Sequence, residues 1–277
     1  MLRARAATGA MVVMVGMAAT AVAGSPASAA TAAWAPASSA AIRPGTQLFV
    51  EGGQCTGGFI LVDARRVYIA MAANCAIVGQ PTDPYGCSTP SRPLGTPVEI
   101  AGASHRGTLV DSSWLTMQVL HEKDPDICEY NDFALVAIDP ADVGAVNPSV
   151  PGFGGPVGEN TAGSAAGEQV YTYGGSGLLL GPGSLSRRRG VAVRMEGSGF
   201  AHRVVDLPPG IPGDAGSPVL DSHGRALGIV ITIAFTPIPA SNGVVDLQRA
   251  VDYLARHTSL TGVRLATGTE PFSPGGP

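Results

Sequence analysis

The chain has 277 residues, of which 45% are hydrophobic and only 14% are charged, and its formal net charge at pH 7 is −4. This length suits one large all-β domain or two small ones. Because the net charge is mildly negative and no basic patch stands out, we expect no nucleic-acid partner. The 38 glycines and 23 prolines favour short strands joined by many turns over long helices.

The first segment, residues 1–29, has the features of a signal peptide. Two arginines precede an apolar stretch, and Ala27-Ser28-Ala29 fits the small-x-small rule for cleavage. We therefore expect a secreted, extracellular protein with no stable membrane insertion after cleavage. The alternative is that the stretch stays uncleaved as an anchor helix.

Export also permits disulfide bonds. The chain has four cysteines, which allow three different pairings. Their spacing alone does not choose among these pairings. They are Cys55, Cys75, Cys87 and Cys128.

The middle of the chain predicts two sets of β-strands. Residues 30–45 are rich in Ala, Pro and Ser and predict a flexible leader. Runs of β-forming residues, spaced by turns, then predict one β-domain over 46–145 and another over 168–243, with a linker at 146–167. The predicted strands lie at 46–51, 57–63, 65–72, 97–102, 105–111, 114–120, 132–138, 168–174, 190–196, 202–207, 217–222 and 225–235.

The C-terminal region departs from the strand pattern. Leu247, Ala250 and Leu254 recur at helical spacing, and Asp246 can cap the N-terminus, so we predict a helix within 244–262. The remaining residues, 263–277, predict a disordered tail.

Several other patterns predict no additional site. The arginine run 187–189 predicts a solvated turn between strands. The glycine-rich stretch 174–184 lacks the Gly-Lys-Ser/Thr ending of a phosphate loop. Because the chain also lacks His-Glu-x-x-His and Cys-x-x-Cys motifs, we expect no metal and no cofactor.

The segment Gly213-Asp214-Ala215-Gly216 predicts a turn that can bind an oxyanion but has no nucleophile. N–H groups in a tight glycine-rich turn can stabilise the negative charge that develops on a carbonyl oxygen during acyl transfer. The attack itself needs an oxygen or sulfur atom activated by a base, which a methyl group does not supply. Ser217 lies too far along an extended chain to substitute, so we predict it to be an ordinary turn or strand serine.

Three segments, in chain order, resemble the signature motifs of the trypsin/chymotrypsin-like serine protease family. They are YIAMAANCA at 68–76, YNDFALVAID at 130–139 and GDAGSP at 213–218. In this resemblance Asp132 matches the catalytic aspartate, Asn74 stands where the family has its histidine base, and Ala215 stands where it has its nucleophilic serine. The likeness covers about 46–262 and is greatest to secreted bacterial members. It implies an all-β fold of two antiparallel six-stranded-type β-barrels with a C-terminal α-helix.

The resemblance implies further site residues. The backbone N–H groups of Gly213 and Ala215 would form the oxyanion hole, and Pro209 would be the floor of the primary specificity pocket. Family members pair the cysteine after the base site with one on the preceding strand, which implies a Cys55–Cys75 disulfide. Cys87 and Cys128 would then pair with each other.

Asp214 pairs with a newly cleaved N-terminus in trypsin-like members. The chain has no Ile-Val-Gly-Gly start, so the resemblance implies a different partner for this carboxylate.

Asn74 predicts a hydrogen bond to Asp132. A buried carboxylate without its histidine would be a costly unpaired charge, and an amide NH₂ can donate to it. The alternative is that Asn74 reflects drift after activity was lost.

The sequence thus predicts a secreted, inactive serine protease homologue without a cofactor. We expect it to be a monomer that binds a peptide or protein in the cleft between its barrels. The alternative function is an active endopeptidase that uses unconventional residues, and inactivation by engineering is a third explanation. Five histidines could serve as a base, and His202 precedes a strand that leads toward the glycine-rich turn. We predict all five to be surface or structural residues: His105, His121, His202, His223 and His257.

Overall fold

The computed structural model describes Met1 and residues 33–51, 53–82, 84–178, 185–234 and 238–275. Apart from Met1, the predicted signal peptide lies outside the described residues, as does the start of the predicted leader. Within the described ranges, no helix is both long enough and apolar enough to cross a membrane.

The described residues are mostly β. The strands are β1 (Gln47–Val50), β2 (Gly53–Thr56), β3 (Ile60–Val62), β4 (Val67–Met71), β5 (Pro97–Ile100), β6 (Gly107–Ser112), β7 (Ala134–Ala137), β8 (Gln169–Tyr173), β9 (Arg187–Glu196), β10 (Ala201–Leu207), β11 (Pro218–Leu220), β12 (Ala226–Ala234), β13 (Ser241–Asp246) and β14 (Arg264–Leu265). The α-helices are α1 (Ser113–Leu120), α2 (Pro125–Tyr130) and α3 (Leu247–His257).

The strands form two antiparallel β-units. The C-terminal unit is a closed barrel with the strand order β10-β13-β12-β11-β8-β9. The N-terminal unit is an eight-stranded sheet with the order β14-β3-β4-β7-β6-β5-β1-β2, which curls into a half-barrel. The predicted all-β architecture of two units and a C-terminal helix is therefore confirmed.

A short strand from the C-terminal region, β14, occupies the edge of the N-terminal unit beside β3. Arg264 and Leu265 of β14 pair with Val62 and Leu61 of β3. β2 therefore has no pairing with β3 and remains at the opposite edge. We did not predict this strand, since its two residues lie in the segment 263–277 that we expected to be disordered.

The predicted C-terminal helix forms as α3. The Asp246 carboxylate accepts a hydrogen bond from the Arg249 N–H at 2.9 Å, as an N-cap does. Leu247, Ala250 and Leu254 are all buried, which matches the predicted apolar face.

The strand predicted at 114–120 is wrong, because these residues form α1. The inward side chains Ser113, Trp114 and Met117 recur at three- and four-residue intervals, as on one side of a helix. Val119 is 78% exposed, so the apolar alternation that favoured a strand did not reflect burial.

The leader and the tail are docked, which corrects two predictions. In the leader, the Ala35 N–H donates to the Val146 carbonyl at 2.9 Å, and Ile42 is fully buried. In the tail, Val263 is buried, and the Phe272 ring contacts the Tyr171 ring edge-on with centroids 5.4 Å apart. Burial of apolar side chains holds both segments against the β-units.

One hydrophobic core joins the two units. It combines side chains of the N-terminal sheet with side chains of the barrel: Phe59, Leu61, Tyr68, Leu135, Tyr171, Leu220, Ile229 and Val245. This shared core fixes the loops that meet between the units.

Candidate functional site

Asn74 and Asp132 meet at one end of two neighbouring strands. β4 and β7 pair antiparallel, so the segment after β4 and the segment before β7 lie together. Asn74, in a short 3-10 helix after β4, donates its backbone N–H to Asp132 Oδ1 at 2.8 Å and its Nδ2–H to Oδ2 at 2.7 Å. The predicted hydrogen bond between these side chains is confirmed.

The Asp132 carboxyl has no cationic partner among the described residues, and it is only 3% exposed. Burial raises its pKa to about 7, and hydrogen bonds from the Asn74 and Ala73 backbone and from the Asn74 side chain oppose this rise. The Asn74 amide is therefore the side chain that stabilises the ionised form of Asp132.

The turn at 213–216 uses backbone conformations with positive φ, which glycine adopts readily. Gly213 and Gly216 have φ of 94° and 95°, in the region that favours glycine. A Cβ on Gly216 would collide with the Thr56 carbonyl. Thr56 also donates its N–H to the Ala215 carbonyl at 2.8 Å and its Oγ1–H to the Gly213 carbonyl at 2.7 Å, so β2 of the N-terminal unit fixes this turn of the barrel.

A single strand brings Asn74 and the turn together. The Val230 carbonyl of β12 accepts from the Gly216 N–H at 2.7 Å. The next carbonyl, of Ile231, accepts from Asn74 Nδ2 at 2.9 Å. Asn74, Asp132 and the turn around Ala215 thus converge between the two β-units.

Asp214 finds a partner inside the barrel. Its Oδ2 lies 2.6 Å from Arg188 Nη2, and both side chains are almost fully buried. Its oxygens also accept from the Ser176 N–H at 3.1 Å and the Ile211 N–H at 2.9 Å. The arginine run at 187–189 therefore begins β9 and is not a solvated turn, because Arg188 points into the barrel to pair with Asp214.

A second buried carboxylate, Asp206, lies in the same part of the barrel. Burial raises its pKa to about 6; the Thr172 hydroxyl and Arg188 lower it, and Asp214 raises it. Arg188 thus supplies positive charge to two buried carboxylates, and sequence patterns gave no signal for this arrangement.

Pro209 lies in the segment just before the turn and is partly buried. Its neighbour Gly210 donates its N–H to Asn242 Oδ1 at 3.2 Å, and Asn242 Nδ2 donates to the Thr232 carbonyl at 3.2 Å. Asn242 is fully buried, so its side chain connects the Pro209 segment to β12. Sequence reasoning missed Asn242, because no motif marks it.

Two disulfides fix the surroundings of the site. Cys55 bonds to Cys75, which joins β2 to the 3-10 helix that contains Asn74. Cys87 bonds to Cys128. These are the pairings that the family resemblance implies.

Ser217 and the five histidines do not join Asn74 and Asp132. Ser217 is fully buried, and its Oγ has no hydrogen-bond partner in the described part of the chain. His202 is also fully buried, with Nδ1 2.9 Å from Ser164 Oγ and Nε2 2.9 Å from Asp246 Oδ2. The other four occupy varied positions: His105 contacts Asp142, His121 ends α1, His223 is exposed beside Ser222, and His257 packs on Tyr253.

One group of potential metal ligands exists among the described residues. Single ligand atoms of Glu168, Asp221 and His223 lie within 4.8 Å of one another. Both Asp221 oxygens already accept hydrogen bonds, with Oδ2 2.7 Å from Arg225 Nε and 2.8 Å from Asn160 Nδ2. A cation would have to compete with the Arg225 guanidinium, so this group does not favour metal binding.

No protein-family model matches the chain, and no curated protein matches it. Among solved structures, protease A of Thermobifida fusca superposes with a TM-score of 0.53 at 19% sequence identity, covering 83% of this chain and 100% of that one. A Nocardiopsis protease, NAPase, has a TM-score of 0.47 at 16% identity, covering 81% of this chain and 98% of that one. The superposition on protease A shows that the chain has the fold of trypsin-like serine proteases.

Proposed function

We propose that the chain is a trypsin-like serine protease homologue without peptidase activity, and that it binds a peptide or protein segment in the cleft between its two β-units. The observation that supports this most directly is the amide of Asn74 on the Asp132 carboxylate, beside a turn that presents Ala215. In this proposal, Asn74 stands at the position of the catalytic base of an active serine protease, and Ala215 stands at the position of its nucleophile.

The chemistry of these two side chains argues against peptide hydrolysis. An amide does not take a proton near neutral pH, and a methyl group cannot attack a carbonyl carbon. In another triad enzyme, loss of the serine or the histidine alone costs about 10⁶-fold in turnover. The residual acceleration of about 10³–10⁴ over water there comes from the oxyanion hole and from substrate binding.

The proposal that the cleft binds a peptide rests on the backbone N–H groups of the turn at 213–216. Thr56 holds the turn at both Gly213 and Ala215, which would supply the oxyanion-hole N–H groups, and both residues are partly exposed. Backbone N–H groups held in this way can donate hydrogen bonds to a carbonyl oxygen of a bound peptide without any reaction. Pro209, the proposed pocket floor, offers no charge for a basic side chain, so a ligand with Arg or Lys at that position is not favoured.

We further propose that the protein acts outside the cell as a monomer. The signal-peptide pattern of the sequence supports export, and two disulfides suit an oxidising compartment.

A second candidate function, hydrolysis by unconventional residues, is favoured by one observation. Ser164, His202 and Asp246 form a continuous hydrogen-bonded chain with both distances at 2.9 Å, which is the order of groups that activates a serine. Ser164 is only 8% exposed, and Asp246 already caps α3. A peptide bond would need access to a buried hydroxyl, so we favour a structural role for this chain of contacts.

Labelling by a fluorophosphonate probe, read out by intact mass, tests the proposal. We expect no adduct on the wild-type protein. The double variant Asn74→His, Ala215→Ser should be labelled, while each single variant stays near background. An adduct on the wild type would overturn the proposal; if Ser164→Ala abolished that adduct, the second candidate function would replace it.

A further inference from the structure

We propose a second ligand site, on the outer face of the barrel, that binds a small carboxylate with a short apolar body. It is a cavity of about 300 Å³ whose lining includes Phe153, Arg187, Arg189 and Leu207. None of these residues belongs to the cleft described above.

The strand pattern explains how two arginines come to line one cavity. Arg187 and Arg189 are alternate residues of β9 and are both exposed, while Arg188 between them points into the barrel. Leu207, at the end of β10, lies directly opposite Arg189 in the strand pairing. The cavity therefore lies on the opposite side of the strand from the buried pair of Arg188 and Asp214.

The cavity concentrates positive charge that the chain does not neutralise. Within the described ranges, neither Arg187 nor Arg189 forms an ion pair, whereas Arg188 does. Alternate residues of a strand are roughly 6.6 Å apart, so the two guanidinium-bearing residues repel each other. An anion between them would remove that repulsion and gain charge-assisted hydrogen bonds.

One of the arginines is held in position by the protein. Arg187 Nη1 donates to the Gly152 carbonyl at 3.4 Å, and its stem packs against Gly152. A guanidinium whose stem is already packed loses less conformational freedom when it binds an anion.

The remaining lining is apolar. Phe153 is 2% exposed, and its ring packs edge-on against Tyr171 with centroids 5.4 Å apart, so the floor is well supported. Leu207 is 75% exposed and offers an apolar surface that a ligand could cover.

The charged and apolar side chains that line the cavity indicate the chemical class of its ligand. Guanidinium groups match the flat, two-oxygen geometry of a carboxylate, and Phe153 and Leu207 favour a hydrocarbon body beside it. A volume of about 300 Å³ lies at the small end of ligand pockets. We therefore assign the site to a monocarboxylate with a body of a few carbon atoms.

Titration with hexanoate, followed by the amide ¹H–¹⁵N shifts of Arg189 and Leu207, tests the assignment on the full chain. We expect saturating shifts centred on these residues, and at least about tenfold weaker binding of acetate, which lacks the apolar body, and of hexan-1-ol, which lacks the charge. Arg187→Gln and Arg189→Gln should each weaken hexanoate binding by about tenfold, as expected for the loss of a charge-assisted hydrogen bond.

Arg106→Gln is the matched control, because Arg106 is an exposed arginine of the N-terminal unit and its loss changes the net charge equally. It should leave the affinity unchanged. Equal weakening by Arg106→Gln, equal binding of acetate and hexanoate, or shifts spread over the whole surface would each overturn the proposal.

Discussion

Removal of the Asn74 side chain should destabilise the protein in a pH-dependent manner. Asn74→Ala deletes the 2.7 Å hydrogen bond to Asp132 Oδ2 and the 2.9 Å hydrogen bond to the Ile231 carbonyl. A hydrogen bond to a charged group contributes about 1.5–3 kcal/mol and one between neutral groups about 0.5–1.5 kcal/mol. We expect a loss of about 3 kcal/mol in the free energy of unfolding at pH 8.5, where Asp132 is ionised.

The sign of the pH dependence follows from the raised pKa of Asp132, about 7. At pH values between the ordinary pKa of an aspartate and the raised pKa of Asp132, the folded protein holds a proton that the unfolded chain releases. The contribution of Asp132 to stability is therefore full below the ordinary pKa and is lost as pH rises through 7. Asn74 stabilises the ionised form, so Asn74→Ala should raise the Asp132 pKa further. The loss should therefore be smaller at pH 5, about 2 kcal/mol for two neutral hydrogen bonds.

Urea unfolding of wild type and variant at pH 5 and pH 8.5 measures this difference. Asn147→Ala is the matched control, because the Asn147 Nδ2 donates to the Ala35 carbonyl at 2.6 Å and to Thr269 Oγ1 at 2.9 Å, neither of which titrates. Its cost should be the same at both pH values. An equal cost of Asn74→Ala at both pH values would refute the reasoning.

Two further predictions concern the barrel and the docked tail. Arg188→Met should lower the free energy of unfolding by about 3–5 kcal/mol, because Asp214 stays buried without its cation. A loss below about 1 kcal/mol in urea unfolding would contradict the pairing, and adding Asp214→Asn should recover part of the lost stability. Phe272→Ala removes the edge-on contact with Tyr171 and should cost about 1–3 kcal/mol. Limited proteolysis should then cut residues 263–275 faster than in the wild type, and unchanged resistance would show that Phe272 does not hold the tail.

The two-unit β-fold was predictable because strand signals are local. β4 and β7 each form a continuous run of β-branched and apolar residues, and both are almost entirely buried. β2 and β13 were missed for the opposite reason, since both contain glycine and polar residues. Their strands exist because of pairing with β1 and β12, which is a tertiary effect.

The contact between Asn74 and Asp132 was predictable because a motif fixed both positions and physical chemistry required a donor for the buried carboxylate.

The role of Arg188 as the buried partner of Asp214 was not predictable from the sequence. A run of three arginines predicts solvent exposure, and only strand alternation in the folded barrel buries the middle one. Docking of the leader and tail was equally hidden, since their small and Pro-rich sequences acquire a position only from surfaces elsewhere in the chain.

We propose above that the cleft holds peptides and does not cleave them. The most direct test of this claim is mass spectrometry of a defined peptide mixture after prolonged incubation with the wild-type protein, with bound and unbound fractions separated. We predict intact peptides enriched in the bound fraction and no new peptide termini in either fraction, while the Asn74→His, Ala215→Ser double variant generates new termini. New termini produced by the wild type, and absent from a heat-denatured sample, would contradict the claim.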